Sequence, residues 1–334
     1  MGAQDVESGE DRLIARFFRP LASDPRALSL IDDVALMRPP PGCELVLKTD
    51  AIVEGTHFLP DDPLDTVARK ALRVNLSDLA AKGAEPSGYL LSLCLPESVT
   101  EAWIAEFARG LKEDGEAYRC PLLGGDTVRT KGPVVVSIAA IGTIPAGAMV
   151  SRAGAREGDH IFVTGTIGDA VLGLRLRREP HKAEEWKLDR AMRDHVAGRY
   201  RVPQPRNGLA EAIRACANAS MDVSDGLAGD LAKLCRASAA GARVEVERTP
   251  LSPAGRAAVT AEAPLLNELL TGGDDYEIVC TIPPERRDRF LAMAAAAGVP
   301  IAEIGRVVAE AEGTQFLDRA GAPLSFARPS FSHF

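Results

Sequence analysis

Short turns rich in glycine and aspartate, each set beside an apolar run, recur along the whole chain and constrain its fold more than any other feature. Asp32 and Asp33 precede VALM, Thr49 and Asp50 close LVLKTD, and Asp126 closes PLLGGD. Asp222 and Asp225 sit in SMDVSDG, and Asp274 and Asp275 in LLTGGDD. The apolar runs read as strands at Glu44–Thr49, Gly88–Leu95, Cys120–Leu123, Val134–Ile144, His160–Thr164, Arg243–Val246, Glu277–Ile282 and Ile301–Val307. Amphipathic helical patterns fill Asp65–Lys82, Thr100–Arg119, Asp225–Ala237 and Pro284–Ala297, with Thr100 as an N-cap. A further helix, carrying Leu172, Leu174 and Leu176, follows Gly165. Strands alternating with helices predict an α/β (α+β) fold.

At 334 residues the chain exceeds what one compact core usually holds. Pro145–Gly147 punctuates the pattern. The expected division is an N-terminal helix (Asp11–Arg19) and connector over 1–30, a domain with a mixed sheet over 31–148, and an α/β domain over 149–334. Residues 177–206 are dense in charge and read as a solvated surface helix.

Net charge is −8, which disfavours nucleic acid and anionic membranes as partners but suits a site that gathers divalent cations. The six cysteines are scattered, with no CxxC pair, and read as small buried residues of a reducing compartment. The first residues, MGAQDVESGEDR, lack the basic start and apolar core of a signal peptide, which favours the cytoplasm. The uncharged stretch from Gly132 to Ser151 contains Pro133, Gly142, Pro145 and Gly147. It reads as a buried strand and turn, not a membrane span.

Any one of these aspartates is most simply a turn or cap residue. Their number and setting argue for more, because the loops beside strand ends are where α/β folds bind ligands. Gly124–Gly125 and Gly272–Gly273 allow close backbone approach. Asp78 differs, lying on a helix in VNLSDLAAKGA with Asn75 on the same face. Converging carboxylates require cations, since two of them ~4 Å apart repel by about 4 kcal/mol at an effective dielectric near 20. Oxygen donors without His or Cys select Mg²⁺ or Ca²⁺, and Mg²⁺ completes its shell with substrate phosphates, which points to a nucleotide. There is no GxxxxGK[ST] loop and no protein-kinase motif set. VTGTIGDA at 163–170 is weak evidence for a phosphate loop.

The blocks IDDVAL, KTDAIVEGTHF, KALRVNLSDLAAKGAEP, LLGGDTVR, SRAGAREGD, VTGTIGDA, MDVSDGLAGDL and TGGDDYEI span nearly the whole chain, from LIARFF at 13–18 to FSHF at 331–334. Together they resemble the thiamine-monophosphate kinases. That family lies in the ATP-binding superfamily of aminoimidazole ribonucleotide synthetase, selenophosphate synthetase and a hydrogenase-maturation protein. The resemblance implies that Asp33, Thr49, Asp50, Asp78, Asp126, Asp222 and Asp225 bind several Mg²⁺ ions. It implies ATP contacts from Gly125, Asp126, Arg152 and Ser224, and thiamine monophosphate contacts from His57, Asp274 and Phe331. Asp50, Asp78 and Asp126 are the implied catalytic set. It also implies a homodimer whose N-terminal domains pair into a shared β-barrel.

The chain departs from the family pattern at three positions: Ile31 stands where GDD is usual, Lys48 where Ser or Thr is common, and Asp274 where Glu is frequent. A charged Lys cannot ligate a metal, so its ammonium replaces or weakens one metal site. The reaction implied is in-line transfer of the ATP γ-phosphoryl group to the phosphate of thiamine monophosphate, giving thiamine diphosphate. Because the nucleophile is already anionic, no general base is needed. Three alternatives remain open: another ATP-using enzyme of the superfamily, a non-catalytic Mg-nucleotide-binding protein, and a metal-dependent phosphohydrolase. The chain carries no Cys acceptor at either of the places where two superfamily members have one.

Overall fold

The computed structural model describes residues 9–328 and 330–331. Ser332–Phe334 of the terminal FSHF block, and the first eight residues, lie outside the described residues. The chain divides into two compact units. One comprises the chain up to Leu76 together with Pro86–Pro145; the other comprises Ser77–Glu85 and the chain from Ala146 onward.

The first unit is built on a four-stranded sheet of β1 (Cys43–Val53), β2 (Glu85–Pro96), β3 (Leu122–Thr130) and β4 (Val135–Pro145), in the order β1-β4-β2-β3. β1 pairs antiparallel with β4, and β2 parallel with β3. Strict alternation of burial along β4, from Val136 to Ile144, shows that one face is fully buried and the other only partly, Ile141 of the latter packing with Ala22, Ala27 and Leu123. The partly covered face presents Leu45, Leu47, Leu90 and Val128, with Leu47 72% exposed.

Expectation and structure part at β1 and β3. Asp50 and Asp126 lie inside these strands, not in turns closing them, and β3 continues through Gly124–Gly125 to Thr130. Edge strands tolerate glycine and charge that a central strand does not, which is why the apolar signal stopped short of the strand ends. Gly125 is required by the fold itself, since a Cβ there would lie 1.9 Å from the Leu91 carbonyl oxygen of the neighbouring strand.

The helix Leu64–Ala81 is not amphipathic, as its pattern suggested. From Val67 to Ala81 it is buried nearly all round, including Lys70, Arg73, Asn75 and Ser77. Each of those polar side chains makes a hydrogen bond: Lys70 Nζ donates to the His57 carbonyl at 2.8 Å, Arg73 pairs with Asp114, Asn75 donates to the Ala71 carbonyl and Ser77 donates to Asp222. Paired polar groups inside a buried helix mimic a solvent-facing stripe in sequence. Thr100 caps the helix Glu101–Ala117, accepting from the Trp103 N–H.

The second unit holds a six-stranded sheet of β5 (His160–Thr164), β6 (Ala219–Val223), β7 (Ala240–Glu245), β8 (Glu277–Ile282), β9 (Ile301–Ala309) and β10 (Thr314–Leu317), in the order β10-β7-β9-β5-β8-β6. Only β10 and β7 pair in parallel; the other pairings are antiparallel. Helices cover both faces. Ile161, Val163, Met221, Val223 and Val279 join the core under helix Leu227–Ala237, while Phe162, Ile278, Cys280 and Ile282 join the opposite core with Ile213 and Phe290. Burial on both faces is why HIFVT and EIVCTI are buried throughout.

The charged segment 177–206 is not simply a solvated helix. Its helix Arg190–Arg201 buries Val196, Arg199 and Tyr200, and Trp186 is 1% exposed. Arg199 and Arg206 both pair with the fully buried Glu277. Arg199 is buried and Arg206 part-buried because β8 carries their counter-ion. No described helix is long and apolar enough to cross a membrane.

Candidate active site

In the second unit, β6 ends in a turn that gathers residues from remote segments. Asp222, 5% exposed on β6, accepts from Ser77 Oγ at 3.0 Å, so the end of the buried helix is tied to the strand. Beyond it, the N–H groups of Ser224 and Asp225 both donate to Asp230 Oδ2, at 2.9 and 2.8 Å. Lys233 bridges Asp225 and Asp230. The GGDD turn packs onto the same backbone: Asp274 N–H donates to the Ser224 carbonyl at 2.9 Å and Tyr276 N–H to the Val223 carbonyl at 2.8 Å. Phe331 N–H donates to the Asp225 carbonyl at 3.0 Å. Asp222, Ser224, Asp225, Asp274 and Phe331 are thereby brought together.

This turn stores strain. Asp274 (φ 74°) and Tyr276 (φ 50°) are both left-handed, a conformation that costs of order 1–3 kcal/mol per residue and clusters at functional sites. Gly273 admits the Ser224 carbonyl, which would lie 2.4 Å from a Cβ at that position.

Asp78 and Arg152 belong to the same neighbourhood through Lys82, whose ammonium donates to the Ser220 carbonyl. Burial lowers the Lys82 pKa to about 8; Asp222 and Asp78 act to raise it, and Arg152 to lower it.

In the first unit, Lys48 Nζ lies 3.1 Å from Asp50 Oδ1, so the unusual lysine already partly neutralises that carboxylate. His57 is set by its fold: its Nδ1 accepts from the Val53 N–H at 3.0 Å, which leaves Nε2 to carry the proton of the neutral ring. Thr49 and Asp126 are exposed on β1 and β3, and Asp33 is exposed in the segment before β1. The sheet of one chain does not bring Asp50 and Asp126 together. They occupy the two opposite edge strands, three inter-strand steps apart.

The VTGTIGDA turn is filled by the protein's own Asp275 carboxyl group. Asp275 Oδ2 accepts from the Gly168 N–H at 2.7 Å, at the start of helix Asp169–Arg178, where an anion would otherwise sit. Burial pushes the Asp275 carboxyl well above the usual range, against the pull of Gly168 and Arg199. Beside it, burial also acts to raise Asp169, but hydrogen bonds from His195, Ser252 and Thr166 outweigh it and hold that carboxyl below its ordinary value. A lowered carboxyl contributes stability that is present above its unfolded value near 3.9 and is lost as pH falls through the folded value. Asp169→Asn is therefore expected to flatten the fall of the urea midpoint on acidification below about pH 4. An unchanged acid limb would contradict that role.

Among the described residues, no three Asp, Glu, His or Cys side chains are grouped to hold a metal ion by themselves. The donor chemistry nevertheless fits a hard divalent cation completed by phosphate oxygens. The residues that the resemblance implies as ligands offer carboxylate and hydroxyl oxygens, and Asp50 and Asp225 each pair with a lysine ammonium.

Two family models match the chain: AIR synthase related protein, N-terminal domain, over residues 31–144, and its C-terminal domain over residues 156–318. A thiamine-monophosphate kinase of Caulobacter vibrioides is 48% identical over 304 residues, covering 90% of this chain and 84% of that protein. The chain belongs to the thiamine-monophosphate kinase family. Among solved structures, thiamine-monophosphate kinase from Stenotrophomonas maltophilia K279a is 34% identical with a TM-score of 0.81, covering 94% of this chain and 96% of that chain. AaThiL complexed with AMPPCP and TMP is 32% identical with a TM-score of 0.75, covering 91% of each chain.

Within this thiamine-monophosphate kinase family fold, several residues that shape the site escaped the sequence reading. Lys82 follows Asp78 by four residues, the helical spacing that shares a face, and Ser77 directly precedes Asp78. Asp230 and Lys233 follow one turn into the helix after SDG, where a carboxylate can turn back onto the loop N–H groups. Asp275 was visible in GGDD, but its role as a plug required the fold.

Proposed function

We propose that this protein phosphorylates thiamine monophosphate to thiamine diphosphate by direct in-line transfer from ATP. The observation that carries this reading is the single backbone network joining Ser224, Asp225, Asp274 and Phe331 beside Asp222. It supports a nucleotide contact and acceptor contacts on one rigid turn. A family relative complexed with AMPPCP, a triphosphate analogue, and TMP supports the same pair of substrates.

The chemistry asks for alignment and charge neutralisation of two anions. Gly125, Asp126, Arg152 and Ser224 contact ATP, with Arg152 offering a forked hydrogen bond to phosphate. His57 presents Nε2–H to the acceptor phosphate, while Asp274 and the half-exposed Phe331 hold the thiamine cation and ring. Asp33, Thr49, Asp50, Asp78, Asp126, Asp222 and Asp225 would hold the Mg²⁺ ions, which supply neutralisation between nucleotide and acceptor phosphates. Lys48 supplies part of that charge at Asp50 from the protein itself.

The partly exposed apolar sheet face supports a homodimer. Leu45, Leu47, Leu90 and Val128 are exposed on a sheet whose edges, β1 and β3, are unpaired. A barrel shared by two copies has no edges, so Asp50 and Asp126 would both lie on a seam between copies. Light scattering should give the mass of two chains; the mass of one would contradict this. We place the enzyme in the cytoplasm.

ADP formation decides between kinase and phosphohydrolase. With ATP and Mg²⁺, ADP should accumulate only when thiamine monophosphate is added. ADP release at the same rate without acceptor would favour the hydrolase reading.

A further inference from the structure

A cavity of about 370 Å³ lies in the first unit between the segment Pro20–Arg26, the C-terminal end of helix Glu101–Ala117 and the beginnings of β2 and β3. None of the residues assigned above to nucleotide, metal or acceptor lines it. Its volume suits a small organic molecule.

Two independent features indicate what it would take. First, Tyr89 lines the cavity and is 1% exposed, yet its hydroxyl has no hydrogen-bond partner among the described residues. The ring is buried and the hydroxyl opens onto the cavity, where it can donate to a water or a ligand. Burial raises its pKa, so it stays a neutral donor. Second, the lining is cationic in a chain of net charge −8. Arg26 is neutralised by Asp24, which accepts from its Nε and Nη2, both at 2.8 Å. Lys112 and Arg119 have no such partner among the described residues, and Glu116 is the only other carboxylate of the lining. Leu21, Leu111 and Leu122 supply apolar wall to the same cavity.

We propose that this cavity binds a small organic anion: a phosphate or carboxylate head group held by Lys112 and Arg119, on a compact apolar body whose far end carries an oxygen that accepts from Tyr89. The two head groups share one chemistry, and 4-nitrophenyl phosphate and 4-nitrobenzoate distinguish them.

The test is calorimetric titration of the full-length protein with each compound, with Mg²⁺ and AMPPCP saturating so that the nucleotide site is closed to them. Wild type should bind at least one of the two with a dissociation constant of about 1 mM or tighter. The double variant K112A/R119G should bind about tenfold more weakly, through loss of two charge-assisted contacts. Arg119 holds a left-handed φ of 52°, so glycine suits its backbone and the variant keeps its fold. Tyr89→Phe, which removes only the hydroxyl, should weaken binding about threefold or more. Absence of binding to wild type up to about 10 mM, or equal affinity in K112A/R119G, would overturn the proposal. So would binding that saturating thiamine monophosphate abolishes, since that would place the compound at the acceptor site.

Discussion

Asp78→Asn is expected to lower kcat by about a thousandfold or more, equivalent to about 4 kcal/mol of transition-state stabilisation, while leaving the unfolding midpoint nearly unchanged. The asymmetry follows from position. Asp78 stands near the end of a helix buried almost all round, so its carboxylate is held by a rigid element. It shares Lys82 with Asp222 as an electrostatic neighbour. Asparagine keeps the shape and removes the charge, so the fold keeps its packing but the site loses an anionic oxygen donor that a hard cation requires. Steady-state kinetics and a urea titration on the same preparation check both halves. Turnover close to wild type would remove Asp78 from the machinery, and collapse of the fold would recast it as structural.

The largest expected stability effect lies elsewhere. Asp114→Ala should cost about 3–5 kcal/mol, measured by urea unfolding, because it strands a buried guanidinium. The Asp114 side chain is 2% exposed and accepts from Arg73 Nε at 2.6 Å, Arg73 Nη2 at 2.8 Å and Arg69 Nε at 3.2 Å. Arg73 also lies over the Tyr118 ring, 5.1 Å from its centroid. Removing both charges in Asp114→Leu/Arg73→Met should recover much of the loss, since the penalty is the uncompensated charge rather than the absent bond. A loss under about 1 kcal/mol for the single variant would mean that water reaches Arg73.

Much of the architecture is written locally. Apolar runs locate β4, β5, β8 and β9, and Thr100 marks the start of its helix, because burial pattern and cap chemistry are short-range properties. β6 and β10 were missed for the same reason: ASMDV mixes small and polar residues, and TQFL spans only four positions. Long-range pairing hid the rest. Arg73, Arg199 and Arg206 look like solvent-facing charge until Asp114 and Glu277 are placed beside them. The site was legible as residue types in GGDD, SDG and NLSD, and the second unit assembles Asp222, Ser224, Asp225 and Asp274. That Asp50 and Asp126 sit on opposite edges of one sheet follows from strand order, which no local pattern encodes.

The central claim is transfer of a phosphoryl group from nucleotide to a phosphorylated acceptor. Its most direct test supplies ATP labelled with ¹⁸O in the γ-phosphoryl group, Mg²⁺ and thiamine monophosphate, and reads the products by mass spectrometry. The account predicts thiamine diphosphate carrying the label in its terminal phosphate, with ADP in equal amount. Label found only in free phosphate, with thiamine monophosphate unchanged, would contradict it.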